Sequence, residues 1–185
     1  EWVNLNGAWD FGFAPDRLDR KITVPFGWGS PLSGVHDVKP DNGHYRRTVT
    51  VPAAWKGKRV FVVVGASDHD TVCTFDGNDL GKHVGGYTPF EFELTEFVRW
   101  GEAQTLAFAV WDPSDKAARD GGYLYGKQGY GNARGIWQTV YLEARGTTFL
   151  DRVRFIPSLA LAAVRLEATL GAPATRAATL RADVD

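Results

Sequence analysis

An all-β fold, a sandwich or jelly roll of short strands, is predicted by three features of the sequence. Apolar and polar residues alternate in short windows, most cleanly in Phe90-Glu91-Phe92-Glu93-Leu94. Side chains in extended chain repeat every two residues, so Phe90, Phe92 and Leu94 line one face and Glu91 and Glu93 the other. Arg59-Val60-Phe61-Val62-Val63-Val64 is a continuous β-branched and aromatic run, the composition of a central strand with both faces covered. Between such windows 21 Gly and 9 Pro in 185 residues punctuate the chain, and short strands joined by these turns are the pattern of a sandwich or jelly roll.

Taken in order, Asn6-Gly7 is a turn that leads into a strand over residues 8–13, and residues 17–21 are a charged surface loop. Residues 25–43 hold Pro25, Gly27, Gly29, Pro31, Gly34, Pro40 and Gly43, too many breakers for a regular element. Long irregular connections of this kind are more often functional than short ones. Residues 44–51 alternate as a strand that stops at Pro52, and residues 55–58 make a tight turn. Residues 71–75 pair with the segment that follows through Asp76-Gly77-Asn78-Asp79, because Asp-Gly between alternating runs is a strong hairpin signal. Residues 105–111 and 136–142 are further strands, joined by a long loop rich in Gly and Tyr. Residues 94–100 are helix-like but too short to matter. Residues 158–170 have the Ala and Leu content of a helix, yet residues 153–157 and 179–184 alternate on either side, and the whole region is read as strand. A composition shift at Gly146-Thr147-Thr148 divides residues 1–146 from 147–185.

Hydrophobic residues at 44% and aromatics at 13% are enough to build a core, and the length suits one full domain and part of another. The net charge of -1, with 21 basic and 22 acidic residues free of blocks, gives no footprint for nucleic acid or an anionic membrane. No apolar run reaches the roughly 18 residues of a membrane span. Cys73 shares a strand face with Phe75 and reads as a small core residue. A single cysteine leaves the redox compartment undecided.

The run Asp76-Gly77, Leu80-Gly81, His83, Gly85-Gly86-Tyr87-Thr88-Pro89-Phe90-Glu91-Phe92 resembles the N-terminal sugar-binding domain of glycoside hydrolase family 2, the β-galactosidase and β-glucuronidase family. Further motifs follow in family order over residues 1 to about 145. They include Trp2, Leu5-Asn6-Gly7, Val24-Pro25-Phe26, Tyr45-Arg46-Arg47, Trp55-Lys56-Gly57-Lys58, Trp111-Asp112-Pro113, Gly126-Lys127-Gln128 and Gly135-Ile136-Trp137-Gln138. The resemblance implies a galactose-binding-type jelly-roll β-sandwich over residues 1–146. Residues 147–185 would then be the first strands of an immunoglobulin-like sandwich. An unfinished sandwich leaves open edges, so the chain is expected to be a piece of a longer protein.

A glycosidase needs two carboxyl groups flanking the scissile bond, about 5 to 5.5 Å apart in retaining enzymes. Glu91 and Glu93, with α-carbons about 6.8 Å apart by strand rise, are read as a solvated strand face. The resemblance places the catalytic glutamates in a downstream barrel instead, so none is expected here, and the barrel, part of the same polypeptide, is the expected partner together with a carbohydrate substrate. It also implies that Asp76 and Asp112 contact the sugar, with a sodium ion near Asp112. Asp112 ends an alternating strand, where a carboxylate can leave the sheet and accept from sugar hydroxyls, or simply form an Asp-Pro turn. Asp76 stands where the family has Asn, which also suits a plain hairpin turn. Lys127 and Gln128, on the loop from Gly121 to Gly135 with its three tyrosines and Arg134, are open to two readings, sugar contact and contact between domains. His36, His44, His69 and His83 lack metal-ligand spacing, and in Asp68-His69-Asp70 neighbouring side chains point apart. A free-standing carbohydrate-binding module and a purely structural sandwich stay open as alternatives, as do homo-oligomerisation, compartment and the identity of the sugar.

Overall fold

Burial alternates residue by residue along the two strands at the heart of the larger sheet. In β7 (Asp70–Phe75) Thr71, Cys73 and Phe75 are buried, and in β10 (Ala103–Trp111) Gln104, Leu106, Phe108 and Val110 are. This period of two sets one face of the sheet against a core and leaves the other open. The computed structural model describes residues 1–37, 40–112, 134–173, 177 and 179–181. Their other strands are β1 (Trp2–Asn4), β2 (Gly7–Gly12), β3 (Arg20–Val24), β4 (Asn42–Thr50), β5 (Arg59–Val64), β6 (Ser67–Asp68), β8 (Asn78–Val84), β9 (Phe90–Glu93), β11 (Gly135–Ile136), β12 (Val140–Arg145), β13 (Leu150–Ser158) and β14 (Ala163–Leu170).

Six strands form one sheet in the order β3-β2-β4-β10-β7-β8, and four form another in the order β1-β12-β5-β9, with antiparallel pairing throughout. Trp9, Phe11, Tyr45, Phe75, Leu106 and Phe108 of the first share one core with Val60, Val62, Val64 and Leu142 of the second. Each such apolar side chain contributes about 1.5–3 kcal/mol on burial. The β5 run is central, between β12 and β9, and is buried from Val60 to Val64. Phe90, Phe92 and Leu94 pack on or within the core, while Glu91 is exposed and Glu93 half-buried. The Asp-Gly hairpin forms between β7 and β8 with Asp76 at φ 50° and Gly77 at φ 81°, the left-handed pair that a two-residue turn of matching twist requires. Cys73 is fully buried, and desolvation pushes its thiol far up from the ordinary value.

β13 and β14 form a separate two-stranded hairpin, so the region with helical propensity is strand at residue 158 and over residues 163–170, with a turn over residues 159–162, because pairing overrides propensity. Phe149 holds this hairpin to the sandwich. Its ring meets Phe61 edge-on at 5.6 Å and lies 5.0 Å from the Arg145 guanidinium and 5.3 Å from that of Arg59.

Three expectations change. The strand over residues 136–142 is divided into β11 and β12, because the Trp137 and Gln138 N–H groups both donate to the Ala66 carbonyl and turn the chain. The charged loop expected over residues 17–21 ends at residue 19: Arg20 and Lys21 open β3, whose Ile22 and Val24 are buried while Arg20 and Lys21 face water. No strand covers residues 179–181 of the expected 179–184, and the remainder of that stretch lies outside the described residues.

Candidate functional site

β10 carries its last residue to one end of the sandwich, where Trp111 stands opposite Asn42 of β4 and Asp70 of β7. β6 and β11 pair at this end as well, Gly135 opposite Asp68 and Ile136 opposite Ser67. Alternation continues past the strand: Trp111 points outward and Asp112 inward. The Asp112 N–H donates to the Asp41 carbonyl at 2.8 Å, which extends the β4–β10 ladder by one residue. Its carboxylate, 1% exposed as a residue, lies with Oδ2 3.8 Å from Nε of Arg134, itself 4% exposed. Arg134 Nη1 donates to Asp41 Oδ1 at 2.9 Å and to the Pro40 carbonyl at 3.0 Å. One buried guanidinium thus bonds the half-buried Asp41 carboxylate and faces the buried Asp112 carboxylate at 3.8 Å, beyond hydrogen-bond distance.

Glycines let the backbone approach closely enough to build this cluster. Gly135 has φ 83°, and a Cβ there would lie 2.2 Å from Tyr45 Oη and 2.4 Å from the Trp28 ring. A Cβ on Gly27 would lie 2.3 Å from the Arg134 carbonyl. The irregular stretch before β4 therefore wraps the Trp28 indole into the core, where its N–H donates to the Pro40 carbonyl at 3.3 Å. Ile136 N–H donates to Tyr45 Oη at 3.3 Å, and burial pushes the phenol far above its ordinary value.

The cluster organises charge rather than offering a free acid. Arg134 places a positive charge 3.8 Å from the Asp112 carboxylate.

Residues 32–145, more than half of the chain, match the family model described as glycosyl hydrolases family 2, sugar binding domain. The chain belongs to that family. A β-galactosidase of Thermoanaerobacter pseudethanolicus is 31% identical over 158 residues, covering 83% of this chain and 20% of that protein. A β-glucuronidase of Bacteroides fragilis is 30% identical over 108 residues, covering 56% of this chain and 16% of that protein. Among solved structures, the β-D-glucuronidase of Dictyoglomus thermophilum superimposes with a TM-score of 0.72 at 21% identity, covering 92% of this chain and 33% of that one. A β-glucuronidase of Faecalibacterium prausnitzii gives 0.72 at 20% identity, with 93% and 36% covered. At that identity the likeness shows the β-sandwich fold. The chain spans a fifth or less of these curated relatives and about a third of these solved chains.

In this family 2 domain, Asp76 lies at the opposite end of β10 from Asp112, about 23 Å away by strand rise. Its Oδ1 accepts from the Thr105 N–H at 2.8 Å, its Oδ2 from Gln104 Nε2 at 2.9 Å, and Arg99 pairs with it at 2.5 Å. The two aspartates do not share a site. Lys127 and Gln128 lie outside the described residues. Glu91 pairs with Arg145 at 2.6 Å and Glu93 with Arg59 at 2.5 Å, so that strand face carries ion pairs, not an acid dyad. Asp70 pairs with Lys82 at 2.5 Å and with His69 at 2.8 Å. Arg134, read from sequence as part of a saccharide-contacting surface, is buried. Its burial has no local sequence signal, because the carboxylates that it meets, Asp41 and Asp112, lie elsewhere in the chain.

Proposed function

We propose that this family 2 domain is a non-catalytic module of a longer glycoside hydrolase of the β-glucuronidase or β-galactosidase kind. It buttresses the catalytic barrel, and its Asp112 end contributes to the rim of the sugar pocket. The match over residues 32–145 carries this reading. The share of each relative that the chain spans supports a larger polypeptide around it. So does the hairpin beyond residue 146, the start of a second, immunoglobulin-like sandwich in this reading, which exposes Phe155, Leu159, Leu161 and Val164. Apolar residues grouped in this way call for a covering surface.

Asp112 and Arg134 act here as positioning residues. They fix the end of β10 and the start of β11, between which the segment with Lys127 and Gln128 runs, and that segment supplies the contacts to sugar or barrel. Asp76 stays with the far hairpin. The reading has two tests. The 185-residue chain alone should release no product from an aryl β-glucuronide or β-galactoside, and turnover by it would overturn the non-catalytic role. In the longer enzyme, Asp112→Asn should raise KM at least about tenfold, a loss of about 1.4 kcal/mol in transition-state binding. Unchanged kinetics in a folded variant would separate this end of the sandwich from the sugar pocket.

A further inference from the structure

The open face of the six-stranded sheet carries a trough. At the Trp111 end it is a hollow of about 410 Å³ lined by Asn42, Asp70, Val72, Lys82, Ala109 and Trp111. A second hollow of about 200 Å³ shares Val72 and Ala109 and adds His44, Arg46, Thr74 and Ala107. The floor is low because small side chains fill the outward positions of β10 and β7: Ala107, Ala109, Val72 and Thr74. The rim is chemically varied. Trp111 is 39% exposed and offers an aromatic wall. Lys82 and Asp70 form an ion pair at 2.5 Å, a donor and an acceptor side by side, and Asn42 adds an amide.

Arg46 stands apart. Asp10, its cross-strand neighbour, is paired with Lys21 at 2.5 Å. Among the described residues the Arg46 guanidinium makes no ion pair or hydrogen bond, although it is exposed beside a hollow. The His44 imidazole is held below its ordinary pKa by burial and adds no competing charge at neutral pH. A concave site with an apolar floor, one aromatic wall and a few fixed polar groups is the architecture of a small-ligand site. A planar guanidinium with no partner among the described residues is suited to bidentate pairing with a carboxylate. Arg46 pairs in register with Ala107 and Asn42 with Trp111, so aromatic wall and cation are four residues apart, about 13 Å along the strand. That span exceeds one sugar ring.

We propose that this trough is an accessory binding site for a short acidic oligosaccharide, with a pyranose ring against Trp111 and a uronate carboxylate on Arg46. The site is separate from the Asp112 cluster, because Trp111 and Asp112 point to opposite sides of the sheet, and its test does not depend on turnover. A β-1,4-linked trimer of glucuronic acid and cellotriose differ only in their carboxylates, so titrating both into the 185-residue chain by calorimetry isolates the role of charge. The acidic trimer should bind at least tenfold more tightly than cellotriose. Arg46→Gln should remove that difference, and Trp111→Ala should weaken both sugars. Ala107→Leu, which fills the floor and leaves the rim unchanged, should also weaken both, and it keeps the test valid if Trp111→Ala fails to fold. Amide shifts on binding should map to β4, β7 and β10. No binding at millimolar sugar, equal affinity for the two trimers, indifference to Arg46→Gln, or shifts confined to the opposite sheet would each overturn the site.

Discussion

Asp76 shows how one carboxylate can hold a turn. Its pKa is lowered from the ordinary value, first by the Thr105 N–H and then by the Gln104 amide; burial pushes the other way, and Arg99 lowers it further. Glu93 is lowered in the same direction, first by its hydrogen bonds to Arg59. A carboxyl group whose folded pKa lies below its unfolded value stabilises the fold above the unfolded value, about 3.9 for Asp. That contribution is lost as pH falls through the folded value. Asp76→Asn keeps a residue that tolerates positive φ and removes the charge. Wild type should therefore melt above the variant at pH 6, and the gap should close as pH falls toward 3. A gap that is constant across that range would mean that the charge of Asp76 contributes nothing. Gly135 makes a sharper case, because φ 83° and the Tyr45 hydroxyl 2.2 Å from a built Cβ leave an alanine nowhere to go. Gly135→Ala should cost about 2–4 kcal/mol in chemical denaturation. None of Asp76's partners was visible in sequence, since Arg99, Gln104 and Thr105 lie far along the chain while the Asp-Gly turn itself is local.

At the scale of elements, the Phe149 ring joins the hairpin of β13 and β14 to the sandwich. Phe149 sits between two guanidiniums and Phe61, and Arg59 Nη1 also donates to the Gly171 carbonyl at 2.8 Å. Cation–π contacts of this kind contribute about 0.5–2 kcal/mol each. Phe149→Ala should speed amide exchange across β13 and β14 at least tenfold while β5 and β10 keep their protection, and uniform exchange would show that the hairpin is held by other means. Strands with strong alternation or β-branched runs, β5, β9 and β10, were legible because their pattern is local and their burial two-sided or clean. β3 was not, since Arg20 and Lys21 hide a two-residue apolar stripe in a charged stretch. The break between β11 and β12 was not legible either. It depends on the Ala66 carbonyl receiving two N–H groups from a segment about seventy residues away, and no periodicity encodes that.

For the whole molecule, strand direction separates the two aspartates that sequence reading put in one site. β10 runs the length of the sandwich, with Asp76 bonded beside Thr105 at one end and Asp112 beyond Trp111 at the other. What sequence reading caught was that Asp112 ends a strand; what it missed was that the inward half of the alternation buries it on Arg134. The consequence can be measured as a coupling. Asp112→Ala leaves Arg134 with one carboxylate, and Arg134→Met takes the guanidinium from the buried Asp112 and the half-buried Asp41; removing one member of a buried pair costs about 3 kcal/mol or more. If the 3.8 Å pair is a working unit, the double variant should lose clearly less than the sum of the singles, with a coupling energy above about 0.5 kcal/mol in urea unfolding of the 185-residue chain. Additive losses would mean that Asp41 and Pro40 hold Arg134 unaided. Asp112 would then have no part in fixing this end of the sandwich, and its effect on KM in the longer enzyme would have to come from direct contact with sugar.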